Sequence, residues 1–76
     1  MKTFVLCKLA AGKEQKAVST IRAIDGVTEV YLVFGGWDVI LSAEADTIDK
    51  LSNLIVSRVR SVDGVTATET LVTTNL

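Results

Sequence analysis

The chain has 76 residues, 49% of them apolar and 22% charged, with no proline, no histidine and one cysteine. That is room for one small domain without internal staples: a lone thiol, Cys7, closes no intramolecular disulfide, and without histidine there is no zinc or iron–sulfur ligand set, so neither metal nor cofactor is expected. Eight basic against nine acidic residues leave a net charge of −1, which argues against the basic surface that nucleic-acid binding requires.

Divided after Asp38, the halves carry five basic and four acidic residues, then three and five, so neither is a basic arm. The apolar start of the chain is far shorter than a signal-peptide core, and no segment approaches the roughly 18–20 apolar residues of a membrane helix. The expectation is a cytoplasmic, reduced protein without membrane contact. A mean hydropathy of +0.42 is high for a domain that buries only about 60% of its extended-chain surface, and points to oligomerisation.

Apolar spacing predicts a first strand over about Thr3 to Ala10. After Ala11-Gly12 it predicts a helix over about Lys13 to Ala23, with Ala17, Val18, Ile21 and Ile24 on one face and Lys13, Glu14, Gln15 and Lys16 in water. A second strand, about Val27 to Phe34, turns through Gly35-Gly36-Trp37-Asp38 into a third, Val39 to Ala45, as a hairpin. Asp46 or Thr47 caps a second helix whose Ile48, Leu51, Leu54, Ile55 and Val59 share a stripe, and the last strand runs from about Val65 to Thr73.

The segment Ile21-Arg22-Ala23-Ile24-Asp25-Gly26-Val27-Thr28 returns 38 positions later as Val59-Arg60-Ser61-Val62-Asp63-Gly64-Val65-Thr66. The halves therefore share a supersecondary unit in which each Asp-Gly ends a helix with glycine in the left-handed region; two unrelated turns favouring the same residues would look alike. Strand–helix–strand twice gives β-α-β-β-α-β, an α+β ferredoxin-like plait: a four-stranded antiparallel sheet with both helices on one face.

Two helices leave the other sheet face open, yet the strands are apolar on both sides. Phe4 and Leu6 oppose Val5, Cys7 and Leu9; Val30, Leu32 and Phe34 oppose Tyr31 and Val33; Val39, Leu41 and Ala43 oppose Ile40. Leaving several such side chains in water forfeits several kcal/mol at about 25 cal/mol per Å2, in a domain whose stability is about 5 kcal/mol. A second sheet packed face to face removes that loss; scattered surface apolar residues are the plainer alternative.

Phe34-Gly35-Gly36-Trp37-Asp38-Val39-Ile40-Leu41 resembles the Gly-x-x-Asp hairpin of the Lrp/AsnC family effector domain, also called the regulation-of-amino-acid-metabolism domain. Gly64-Val65-Thr66-Ala67-Thr68-Glu69-Thr70-Leu71-Val72 is similar to that family's closing strand, a Gly-Val pair followed by alternating threonines. The resemblance implies sheet-to-sheet dimers forming a dimeric αβ-barrel-like assembly, further association into octamers or similar rings, and amino acids bound between subunits. It also implies association with full-length Lrp/AsnC transcription regulators. The family's amino-terminal helix-turn-helix has no counterpart in this sequence, so the expectation is a stand-alone member, one ligand-binding and oligomerisation domain over residues 1–76. Phe34 departs from the family, which often carries a small polar residue there.

An amino-acid site needs donors for a carboxylate and an acceptor for an ammonium. Gly35 and Gly36 let backbone N–H groups approach a ligand, Asp38 offers the acceptor, and Thr68 and Thr70, two apart on a strand, share a face. These five are the ligand-binding candidates, of which Gly35, Asp38, Thr68 and Thr70 match the positions of the motifs they resemble most directly, with Tyr31, Val33 and Trp37 as interface residues. Each has a simpler role open to it: a glycine turn, an aspartate accepting a backbone N–H, exposed strand threonines, an interface tryptophan. Cys7 reads as a buried small hydrophobe. No acid–base constellation supports an enzyme, no Cys-x-x-Cys loop a metal chaperone, and no set of stacking aromatics an RNA-recognition domain. The main rival to an amino-acid effector module is a structural assembly or adaptor module without a ligand; a small plait-dimer enzyme is the lesser one.

Overall fold

The computed structural model describes residues 1–73; the last three positions of the domain expected over 1–76 lie outside the described residues. The order is β1 (Lys2–Leu9), α1 (Glu14–Arg22), β2 (Val27–Leu32), β3 (Val39–Glu44), α2 (Ile48–Asn53), a π-helical continuation (Leu54–Val59) and β4 (Val65–Val72). The strands lie in the order β2-β3-β1-β4, every pair antiparallel. This is the ferredoxin-like plait, and element boundaries fall within about two residues of the sequence expectation.

Register decides which residues meet the helices. Thr3, Val5 and Cys7 of β1 stand opposite Ala43, Leu41 and Val39 of β3. All six are fully buried, because α1 covers them with Ala17, Val18 and Ile21 and the second helical segment adds Leu51, Ile55 and Val59. Each large aliphatic side chain so buried contributes about 1.5–3 kcal/mol. Ile24 and Val62 seal the two helix ends. The thiol of Cys7 sits among these aliphatics without a hydrogen-bond partner among the described residues, and burial pushes its pKa up to about 11.

The internal repeat extends into the hydrogen bonds. Gly26 and Gly64 both take positive φ, 97° and 100°. Each turn is then gripped by a strand from the opposite half: Gly26 O accepts from Glu44 N at 2.8 Å, and Gly64 O accepts from Ala10 N at 2.7 Å. Just beyond, β2 and β4 both shift register, between Val27 and Glu29 and opposite Lys8/Leu9. The extra residues at these bulges are equivalent threonines: Thr28 Oγ1 donates to Ser42 O and Thr66 Oγ1 to Lys8 O, each at 3.3 Å. Two coincidental turns would not share the grip, the bulge and the hydroxyl bond.

Two sequence expectations change. The second strand ends at Leu32 instead of Phe34, because the hairpin closes with Val33 N donating to Asp38 O at 3.0 Å. Phe34 then projects into solvent, outside the sheet face assigned to it. The second helical stripe also loses a member. Leu51, Ile55 and Val59 are buried and Leu54 is partly so, but Ile48 is 52% exposed. From Leu54 the backbone is π-helical, with Arg60 N donating to Ile55 O at 3.0 Å, five residues back. The wider turn keeps a spacing of four on the buried side at Leu51, Ile55 and Val59, whereas Ile48 is the exposed first residue of the α-helical stretch ahead of it. Thr47 is the cap, its Oγ1 accepting from Lys50 N at 3.1 Å.

Candidate functional site

Gly35, Gly36 and Asp38 occupy the β2–β3 hairpin. Gly35 takes φ 144°, and no atom lies within 4 Å of where a Cβ would stand at either glycine, so both backbones are open to approach by another molecule. Asp38 is half-buried and fastened on two sides: its N–H donates to Cys7 O at 2.9 Å, and its Oδ2 accepts from Leu9 N at 2.8 Å. One carboxylate oxygen thus terminates β1, while Oδ1 has no partner in the protein among the described residues.

Thr68 and Thr70 stand opposite Cys7 and Val5 across the β1–β4 ladder, so their side chains leave on the helix side of the sheet. As β4 is an edge strand, they line a groove of about 710 Å3 between β4 and the second helical segment. The helical wall is mainly aliphatic, with Ile48, Leu51, Ile55 and Val56 beside Ser52; Thr3, Thr68 and Thr70 line the strand side together with aliphatic β4 residues; and Arg60 is also part of the lining. Thr3 Oγ1 is already spent on Leu71 O at 2.7 Å.

The threonine pair is brought together by its shared face, as spacing by two requires. The hairpin does not join it. Gly35, Gly36 and Asp38 are absent from the groove lining, and β1 lies between the hairpin strand β3 and β4. The groove residues Ile48, Val56 and Arg60 escaped sequence reasoning; the only available signal was their alignment along a helix facing an edge strand.

The face without helices carries Phe4, Leu6 and Ile40, half-buried, beside exposed Tyr31, Val33 and Leu71. Trp37 is half-buried in the hairpin. A polar chain crosses this face: Tyr31 OH donates to Glu29 Oε2 at 2.6 Å, Ser42 Oγ to Glu29 Oε1 at 3.3 Å, and Ser42 Oγ meets Thr28 Oγ1 at 2.6 Å. The Tyr31 hydroxyl, then that of Ser42, holds the Glu29 carboxyl below its usual range, and the same bond raises the Tyr31 phenol. Lys2 Nζ lies 5.3 Å from the Phe4 ring centroid. Among the described residues no cluster of His, Cys, Asp and Glu could hold a metal ion, and no helix is long and apolar enough to cross a membrane.

Comparison with known proteins places these features. The family model for the Lrp/AsnC ligand binding domain matches residues 2–75. A helix-turn-helix-type transcriptional regulator of Pyrococcus furiosus is 35% identical over 63 residues, covering 82% of this chain and 42% of that protein. The Escherichia coli regulatory protein AsnC is 27% identical over 56 residues, 74% of this chain and 37% of its own. The chain therefore spans about two fifths of the length of these curated relatives. Among solved structures, a Pyrococcus horikoshii protein superposes with TM-score 0.85 at 33% identity, covering 92% of this chain and 84% of its own. A Thermus thermophilus protein superposes with TM-score 0.90 at 27% identity, covering 99% and 94%. The family model covers nearly the whole chain and the fold agrees with it, so the chain belongs to the Lrp/AsnC family, as its ligand-binding domain.

Proposed function

We propose that the protein is an effector-binding regulatory module that holds an amino acid between subunits, and that the bound ligand shifts its assembly state or its association with Lrp/AsnC-type transcription regulators. The observation that carries this reading is a separation. Within one chain the open hairpin and the threonine pair are divided by β1, which supports a site in which the hairpin of one copy approaches β4 of another. Gly35 and Gly36 would present N–H groups to the carboxylate, the remaining Asp38 oxygen would accept from the ammonium, and Thr68 and Thr70 of a neighbouring copy would complete the polar set.

The helix-free sheet face supports the assembly this requires. Phe4, Leu6, Ile40 and Leu71 form an apolar surface that a second sheet would cover, with Tyr31, Val33 and Trp37 as its proposed edge. A dimer formed there, associating further into a ring such as an octamer, would bring hairpins to neighbouring subunits. Ligand-driven change in assembly then requires that the amino acid bind one assembly state more tightly than another. Titration calorimetry against the twenty amino acids is the test. Heat and a rise in melting temperature with one or a few of them supports the effector reading; no response to any favours a ligand-free adaptor module.

A further inference from the structure

The groove beside β4 has a charge balance of its own. Its lining contains Arg60 and no aspartate or glutamate. Arg60 forms neither of the ion pairs found among the described residues, which join Lys13 to Asp63 and Lys50 to Asp46. The side-chain hydroxyls of Thr68 and Thr70 also have no partner among the described residues, whereas those of Thr3, Thr28 and Thr66 are bonded to carbonyls. A guanidinium is a fixed, planar, bidentate donor suited to a carboxylate. Opposite the threonines the helical wall is mainly aliphatic, with Ser52 among Ile48, Leu51, Ile55 and Val56, and the volume of about 710 Å3 falls within the roughly 300–1,000 Å3 of small-molecule sites.

We infer that this groove is a binding site, complete within one subunit, for an aliphatic monocarboxylate that lacks an amino group, such as a branched 2-oxo acid. Arg60 takes the carboxylate, Thr68 and Thr70 donate to the carboxylate or the adjacent carbonyl, and Ile48, Leu51 and Val56 cover the hydrocarbon. An ammonium brought into the same groove would lose water and meet Arg60 with no counter-charge, a desolvation and repulsion penalty that an oxo acid does not incur. The inference goes beyond the amino-acid reading and shares only Thr68 and Thr70 with it. An oxo acid in the groove and an amino acid held by a neighbour's hairpin would compete for those hydroxyls.

Calorimetry on the intact protein with 4-methyl-2-oxopentanoate, L-leucine and 3-methylbutylamine tests this, alongside Arg60→Met and Arg60→Lys. Arg60 is exposed, so both variants should keep the wild-type melting temperature, to be verified in the same samples. The expected result is binding of the oxo acid, none of the amine, at least tenfold weaker oxo-acid binding in Arg60→Met and partial rescue in Arg60→Lys. Amine binding as tight as oxo-acid binding, an unchanged oxo-acid affinity in Arg60→Met, or no oxo-acid binding at all would overturn the inference. L-leucine binding by the wild-type protein with no oxo-acid binding would sink the groove assignment and leave the amino-acid reading standing. Silence from all three ligands, and from the full amino-acid panel, would remove both.

Discussion

Replacing Asp38 separates its role in holding the fold from its role toward a ligand. In Asp38→Ala the Leu9 N–H loses a carboxylate acceptor at 2.8 Å in a partly buried position. A hydrogen bond to a charged group contributes about 1.5–3 kcal/mol, and partial exposure places this one near the lower end, about 1.5–2 kcal/mol. For a domain of this size each kcal/mol moves the melting temperature by about 4–8 °C, so the expected fall is about 6–16 °C. Asp38→Asn keeps an oxygen for Leu9 but loses the charge, and should fall by less than half as much. Urea unfolding followed by circular dichroism at one fixed protein concentration measures both, since assembly makes stability depend on concentration. Asp38→Ala within 0.5 kcal/mol of wild type would refute the structural role. If Asp38 also receives an ammonium, Asp38→Asn should weaken amino-acid binding far more than its small loss of stability accounts for.

Gly64→Ala places a Cβ 3.0 Å from Lys13 Cβ at φ 100° and should cost about 1–3 kcal/mol, measured by the same unfolding curves. For Cys7, folding holds the thiol neutral to about pH 11 against an ordinary 9.0; its contribution is complete below pH 9, declines as pH rises and is gone above about 11. The span corresponds to about 3 kcal/mol, and Cys7→Ala should flatten that part of the stability–pH curve. Native Cys7 should also resist a thiol reagent until urea unfolds the chain. Leu6→Lys on the helix-free face should leave monomer folding intact but place a charge in the proposed sheet-to-sheet contact, weakening association by roughly a hundredfold or more in sedimentation velocity.

Most of the fold was legible because its signals are local. The repeated Asp-Gly, the spacing of Ala17, Val18, Ile21 and Ile24, and the alternation along β1 each bear on one element, and they agree. The π-helical turn at Leu54–Val59 was not legible: four-residue spacing at Leu51, Ile55 and Val59 fits an α-helix nearly as well, and only the backbone separates them. The candidate site was legible in its residues and not in its arrangement. Register fixes that Thr68 and Thr70 face α2, and strand order fixes that the hairpin lies beyond β1; both depend on contacts between distant segments. Arg60 could not have been chosen from sequence, because an exposed arginine near a helix end ordinarily completes the helix dipole.

The central claim is a ligand site shared between copies, and mixing two defective variants tests it most directly. Asp38→Asn removes the carboxylate of the hairpin contribution, and Thr68→Val with Thr70→Val removes the β4 contribution, so each homo-oligomer should fail to bind the effector amino acid. After the two are unfolded together and refolded, hybrid assemblies pair the intact hairpin of one with the intact threonines of the other. The prediction is recovery of binding at roughly a quarter of the sites by calorimetry. No recovery in mixtures that sedimentation shows to be hybrid would contradict a site built from two subunits.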